Sequence, residues 1–243
     1  AIAYGESEAV LGRQHLDGLS VITKLPGVPE GCDDVTEWVQ LQVENSLARL
    51  NLSKLEGLLL HRPGQLLGSF GNELYQQMRI LKQQGVVQRI GISVYGPEEL
   101  EALCDRFHSD IIQAPFNILD RRLSDSGWLE RLQGMGTALH VRSVFMQGLL
   151  LMSKEQRPEK FSRWDMLWQQ WAQWLEETGQ TPVEACLRHA LSIPEIEKVV
   201  VGVDSYAQLH QIIHAANGSC ITLPEGLWTL DNQLLNPSCW NNL

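Results

Sequence analysis

Cysteine is sparse in this 243-residue sequence, and the five present, Cys32, Cys104, Cys186, Cys220 and Cys239, are widely scattered without a CxxC pair. That spacing offers neither a disulfide framework nor a structural zinc site, so a reducing cytoplasm is the expected compartment. Long apolar runs are also missing. No stretch approaches the roughly 20 residues that span a bilayer, and no basic-then-apolar segment opens the chain, so a membrane is not an expected partner. Positive charge is in short supply, with 19 Lys and Arg against 29 Asp and Glu and a formal charge of −10. Such a surface repels phosphate backbones unless a basic patch is segregated on one face. None is readable, and nucleic acid is excluded as an expected partner. Low-complexity stretches and interdomain linkers are absent as well. What remains is a chain with 44% apolar residues, long enough for a core without staples and close to the roughly 250 residues typical of an α/β barrel. The expectation is one domain, residues 1–243.

Six short apolar or β-branched runs recur, at 21–24, 57–61, 90–93, 111–114, 139–144 and 199–203. They are apolar throughout rather than alternating, as strands buried on both faces should be, and helical patterns separate them, which predicts βαβ units and a parallel sheet. Helices are expected at 35–50 and 72–84, the second closed by Gly85, and from Pro97, a favoured first-turn residue followed by Glu98 and Glu99. Trp164, Trp168, Trp171 and Leu175 share one face of a helix over about 163–177 and are assigned to the core. A further helix starts at Pro182 and runs through Ala190. Six units in a chain that opens inside a loop suggest an eight-stranded barrel lacking its start, with an open six-stranded doubly wound sheet as the competing architecture.

Lys24 closes the first run and His61 the second, each followed closely by a proline, so both ionisable groups are expected at the rim where parallel barrels carry their active sites. Taken singly, a lysine at a strand end is usually a solvated boundary residue, and a histidine closing a leucine run is often a hydrogen-bonded structural one. Tyr4, in Ala1-Ile2-Ala3-Tyr4-Gly5, adds a phenol that can serve as a general acid beside an ammonium. With these residues in this order, the sequence resembles the aldo-keto reductase family, whose Asp-Thr-Ala-x-x-Tyr-Gly motif is matched from its third residue by Ala1 to Gly5. The resemblance continues through Ser7-Glu8, Leu11-Gly12, Val21-Ile22-Thr23-Lys24, Leu58-Leu59-Leu60-His61, Ile90-Gly91-Ile92-Ser93, Gln113-Ala114-Pro115-Phe116-Asn117 and Val199-Val200-Val201-Gly202.

That resemblance implies a (β/α)8 TIM barrel in which the visible strands are the third to the eighth. The first strand–helix unit, most of the second strand and the family's aspartate five residues before the tyrosine would then fall upstream of Ala1. It implies reversible, NAD(P)H-dependent reduction of an aldehyde or ketone to an alcohol, with a small-molecule carbonyl as substrate. Tyr4 matches the proton donor, and Lys24 and His61 complete the catalytic set. Ser93 and Gln113 match residues that hold the nicotinamide carboxamide, with Val94 where relatives carry asparagine. Around residues 141–148 the match sets Arg142, with Ser143 and Phe145 beside it, at the cofactor, the planar guanidinium of Arg142 being able to stack. Gly202, Asp204 and Gln208 fall where relatives contact the adenosine phosphates. NADPH is the expected cofactor. NADH is also possible, because no basic partner for a 2′-phosphate is evident and Asp204 could take a free ribose hydroxyl. The alternative is a cofactor-binding, catalytically weak or inactive regulatory protein. Pocket walls are expected from 62–71, 116–122 and 228–243, with Trp228 or Trp240 able to close over an apolar substrate. No oligomeric state is readable. His210 and His214 have the spacing of paired zinc ligands but lack the glutamate of an HExxH site, so they are assigned to a solvated helix face and no metal is expected.

Overall fold

The computed structural model of the chain describes every residue except Asp17 and Ile221, and the side chain of Asn242 is likewise outside the description. Six strands succeed one another in chain order: β1 Ile22–Leu25, β2 Leu55–Leu60, β3 Val87–Ser93, β4 Ile111–Pro115, β5 Ala138–Arg142 and β6 Ile196–Val199. Every described pairing between them is parallel. The α-helices are α1 Ser7–Gly12, α2 Val35–Leu50, α3 Gly71–Gln83, α4 Pro97–Leu103, α5 Arg122–Asp125, α6 Trp128–Gly134, α7 Asp165–Thr178, α8 Pro182–Leu191, α9 Tyr206–Ala215 and α10 Asn232–Leu235. The expected α/β class therefore stands. The chain divides into two compact units, Ala1–Gln113 and Ala114–Leu243, with β4 running across the boundary.

Local signals explain the element ends. Asp34 caps α2 by accepting the Glu37 N–H at 2.8 Å, and α2 stops at Asn51 in the left-handed region, φ 53°. Gly85 follows α3 with φ 74°, the conformation a glycine tolerates best. Pro97 opens α4, while Thr181 and Glu184 form a reciprocal capping box at α8.

In the first unit the core is built on the sheet, with Leu55, Leu59 and Val87 fully buried. Gly91 of β3 lies opposite Ile111 of β4. A β-carbon there would sit 1.9 Å from the Ile111 carbonyl oxygen, a backbone atom that cannot swing aside. Helix α1 is tied down by Glu8, buried although charged. Its Oε1 accepts the Thr23 hydroxyl of β1 at 2.5 Å, and its Oε2 accepts Arg49 Nε of α2 at 2.8 Å. Burial opposes ionisation of this carboxyl and is the largest single influence. The hydrogen bonds from Thr23 and Arg49, with the Arg49 charge, outweigh it and hold the group below its ordinary value of 4.5.

The second unit is organised by tryptophan. Trp168, Trp171 and Trp174 of α7 are buried, and Trp164 borders the same cluster just before the helix. Each indole N–H has an acceptor: Asp231 Oδ2 for Trp164 at 3.1 Å, and the carbonyls of Phe161, Leu150 and Thr222 for the others at 2.9, 3.1 and 3.2 Å. Trp174, absent from the expected stripe, stacks on Trp171 with ring centroids 5.6 Å apart. Leu175, expected on that stripe, is only partly buried.

Strand β1 runs on to Leu25, one residue past Lys24, β5 ends at Arg142 rather than 144, and two further boundaries are corrected. The last strand is Ile196–Val199 rather than 199–203. Its ladder ends as Val200 N–H donates to the Val141 carbonyl at 2.7 Å, while Val200 and Val203 are exposed. The apolar run thus lies largely beyond the strand, whose own middle is the polar pair Glu197-Lys198. Strand β2 stops at Leu60, one residue before His61, although the His61 N–H still bonds the Leu25 carbonyl at 3.0 Å.

Two variants test this packing. Gly91→Ala should lower Tm by roughly 5–10 °C, because the added carbon must push two strands apart. An unchanged melting curve by circular dichroism would refute the close approach. Glu8→Gln should cost about 1.5–3 kcal/mol at neutral pH, the worth of hydrogen bonds to a charged group. Because the folded-state pKa is depressed, this stabilisation is fully present above about 4.5 and is lost as pH falls through the lower folded value. Urea melts across that range should therefore show the parent and the variant converging in acid.

Candidate active site

Strand register sets the chemistry-bearing residues of the first unit. In a strand, alternate side chains share a face, and parallel partners in register present the same face. Lys24 pairs with Leu59, Leu59 with Gly91, and Gly91 with Ile111. Two residues further along come Ser93 in the third strand and Gln113 in the fourth, on the Lys24 face, and His61 one residue past the end of the second. Thr23, with the opposite parity, turns to the other side and meets Glu8.

Tyr4 reaches the same rim from outside the sheet. It ends a 3-10 turn, Ile2–Tyr4, after which Gly5 reverses the chain at φ 56° and ψ −128°, a conformation natural only to glycine. Lys24 Nζ donates to Tyr4 Oη at 3.4 Å. The His61 ring meets the Tyr4 ring edge-on, with centroids 5.9 Å apart. Lys24 is buried, 8% exposed, whereas Tyr4 is 55% exposed. The cation is therefore withdrawn behind an accessible phenol, and the three expected residues come together.

Ser93 and Gln113 are buried and directly paired across β3 and β4, with Val94 N–H bonding the Gln113 carbonyl at 2.9 Å. A hydroxyl and a primary amide side by side offer both donors and acceptors, the set that a carboxamide requires. These residues fit the group the family resemblance assigns to them.

In the second unit Arg142 closes β5, and its Nη1 donates to Ser143 Oγ at 3.3 Å. Ser143 has φ 62°, and Asn117 Nδ2 donates to its carbonyl at 3.4 Å. Phe145 packs against the tryptophan cluster. Gly202, Asp204 and Gln208 are exposed. Ser205 caps α9 by accepting the Gln208 N–H at 3.2 Å, while Gln208 Oε1 accepts the Asp204 N–H at 2.7 Å. Two amides of this loop are thereby engaged by side chains. His210 and His214 lie on an exposed face of α9. Trp240 packs edge-on against Phe161 at 5.0 Å and donates to the Leu234 carbonyl at 2.9 Å, as a tail residue anchored in the cluster. Trp228 is 39% exposed.

Two polar arrangements have no counterpart in the sequence pattern. One is the Thr23–Glu8–Arg49 bridge, which fixes the helix following Tyr4. The other joins buried Asp120 to Arg122 through two 2.8 Å bonds, with Asn117 Oδ1 accepting the Leu119 and Asp120 N–H groups. Glu8 and Thr23 of the first lie in segments that resemble the family, but the contact between them is not readable from spacing.

Comparison with known proteins bears on the family and the fold. The family model described as the aldo/keto reductase family matches residues 1–220. The uncharacterized oxidoreductase YqkF of Bacillus subtilis is 25% identical over 202 residues, covering 79% of this chain, and the chain spans only 65% of that protein's length. Among solved structures, the holo form of aldo-keto reductase AKR11C1 from Bacillus halodurans superposes with a TM-score of 0.70 at 24% identity, covering 88% of this chain and 73% of its own. Glycerol dehydrogenase AKR11B4 from Gluconobacter oxydans gives 0.65 at 18% identity, covering 89% and 73%. These likenesses show the fold of that family's (β/α)8 barrels, and, with a family model matched along nine-tenths of its length, the chain belongs to the aldo/keto reductase family.

Proposed function

We propose that the protein reduces small aldehydes or ketones to alcohols with NADPH, acting as one domain over residues 1–243 in the cytoplasm. The observation that carries this reading is the 3.4 Å hydrogen bond from Lys24 Nζ to Tyr4 Oη, with His61 against the same ring. A nicotinamide, when bound, supplies the hydride. The residues supply the rest. A carbonyl under reduction accumulates negative charge on oxygen, so donors already aimed at that oxygen favour the transition state over the ground state. Tyr4 Oη–H donates the proton. The buried Lys24 ammonium stabilises the charge left on the phenol, and its low exposure makes that interaction stronger than it would be in water. His61 is the second donor and orients the carbonyl.

Ser93 and Gln113 would hold the carboxamide, and Arg142, Ser143 and Phe145 would line the cofactor in the second unit. Gly202, Asp204 and Gln208 would face its adenosine phosphates. The Bacillus halodurans relative has been solved in a holo form, and the Bacillus subtilis relative is named an oxidoreductase. Both support a cofactor-dependent redox role.

The decisive test measures NADPH oxidation with 4-nitrobenzaldehyde in the parent and in Tyr4→Phe. The variant should lose about 10²–10⁴-fold in kcat, the usual contribution of a positioned general acid, with cofactor affinity nearly unchanged. Affinity is read from quenching of the eight tryptophans by NADPH and, in parallel, NADH. Parent-like turnover in Tyr4→Phe would overturn the mechanism. Tight cofactor binding without turnover in the parent would make the protein a nucleotide-binding regulator instead.

A further inference from the structure

A cavity of about 320 Å³ lies beside α7, lined wholly by residues of the second unit. Its apolar wall is formed by Met152, Trp168, Trp171, Leu175 and Pro182, and exposed Ala172 stands at its edge. Three charged groups also line it, Lys154, Arg157 and Asp165. None of them belongs to the residues assigned above to catalysis or cofactor binding.

Arg157 is the unusual member. Its guanidinium carbon lies 4.2 Å from the Trp168 ring centroid, and Nη2 donates to the Met152 carbonyl at 3.0 Å. Its Nε is buried and has no hydrogen-bond partner among the described residues. Burial draws the guanidinium below its ordinary pKa, with Asp165 acting in the opposite sense. The single positive charge in excess, two cations against one carboxylate, suits a monoanion. The indoles and aliphatic side chains suit a flat apolar body, and the volume is within the range of small-molecule sites.

We propose that this cavity is a binding site for a small aryl carboxylate, its ring against the apolar wall and its carboxylate ion-paired with the guanidinium of Arg157. The site is built from the loop before α7, α7 itself and Pro182 at the start of α8, and it shares no residue with the Tyr4 site. The test is isothermal titration calorimetry of the full chain with 1-naphthoate and with its neutral analogue 1-naphthamide. The acid should bind once per chain, and the amide about tenfold or more weakly, since a hydrogen bond to a charged group is lost. Arg157→Leu should erase that preference. Ala172→Phe, at an exposed position, should fill the cavity and abolish binding of both probes while the circular dichroism spectrum and Tm stay those of the parent. Equal affinity for the two probes, no heat with either at millimolar concentration, or 1-naphthoate binding that survives Ala172→Phe but is lost in Tyr4→Phe would each overturn the proposal.

Discussion

The register of the parallel ladder in the first unit is the constraint on which the rest of the candidate site depends. Side chains alternate with a period of two, so slipping any of the four strands by one residue would send its candidate side chain to the opposite face. Lys24, Ser93 and Gln113 share a face only because Lys24, Leu59, Gly91 and Ile111 stand in one row. Gly91 belongs to that row for a reason of space: a side chain there would meet the Ile111 carbonyl. One glycine thus joins backbone packing to the placement of polar groups two residues further along. Parity also separates two jobs on adjacent residues. Lys24 turns to the rim and Tyr4, while Thr23 turns away and holds Glu8, the residue that anchors the segment carrying Tyr4.

Local signals were legible where the chemistry that ends an element is local. Helix α2 falls over residues 35–50 as expected because Asp34 and Asn51 mark its ends, and Gly85 stops α3 for the same kind of reason. Expectation failed where tertiary contacts decide. The valines at 199–203 resemble a buried strand, yet the ladder is made by Ile196–Val199, whose polar Glu197 is supported by buried His140 at 3.0 Å. Trp174 fell outside the stripe because the buried face of α7 is wider than one line of residues, and its ring rests on Trp171. Lys24 and His61 were legible as ionisable residues at strand ends, and Tyr4 joined them through family resemblance. The Glu8 bridge was not. It joins residues 15 and 41 positions apart, a distance over which no periodicity carries information.

The second unit shows how a strained segment is held. After β5 the chain passes through Ser143 at φ 62°, Met146 at 47°, Gln147 at 54° and Gly148 at 87°. Left-handed conformations in residues other than glycine cost of order 1–3 kcal/mol each and persist only where the surroundings fix them. Here the surroundings are identifiable. Met146, Leu149 and Leu150 are buried in the tryptophan cluster, the Leu150 carbonyl accepts the Trp171 indole N–H, and Asn117 donates to the Ser143 carbonyl. The tryptophans therefore do more than fill a core. Each fixes the position of an acceptor through its N–H while its ring buries apolar area, so the cluster resists the relaxation that a strained turn would otherwise undergo. Strain of this kind concentrates where a protein must hold a backbone in one conformation for a ligand. The strained turn follows directly on Arg142, and Trp168 and Trp171 of the same cluster form a wall of the cavity beside α7. The same aromatic cluster packs against both the strained turn and the cavity beside α7.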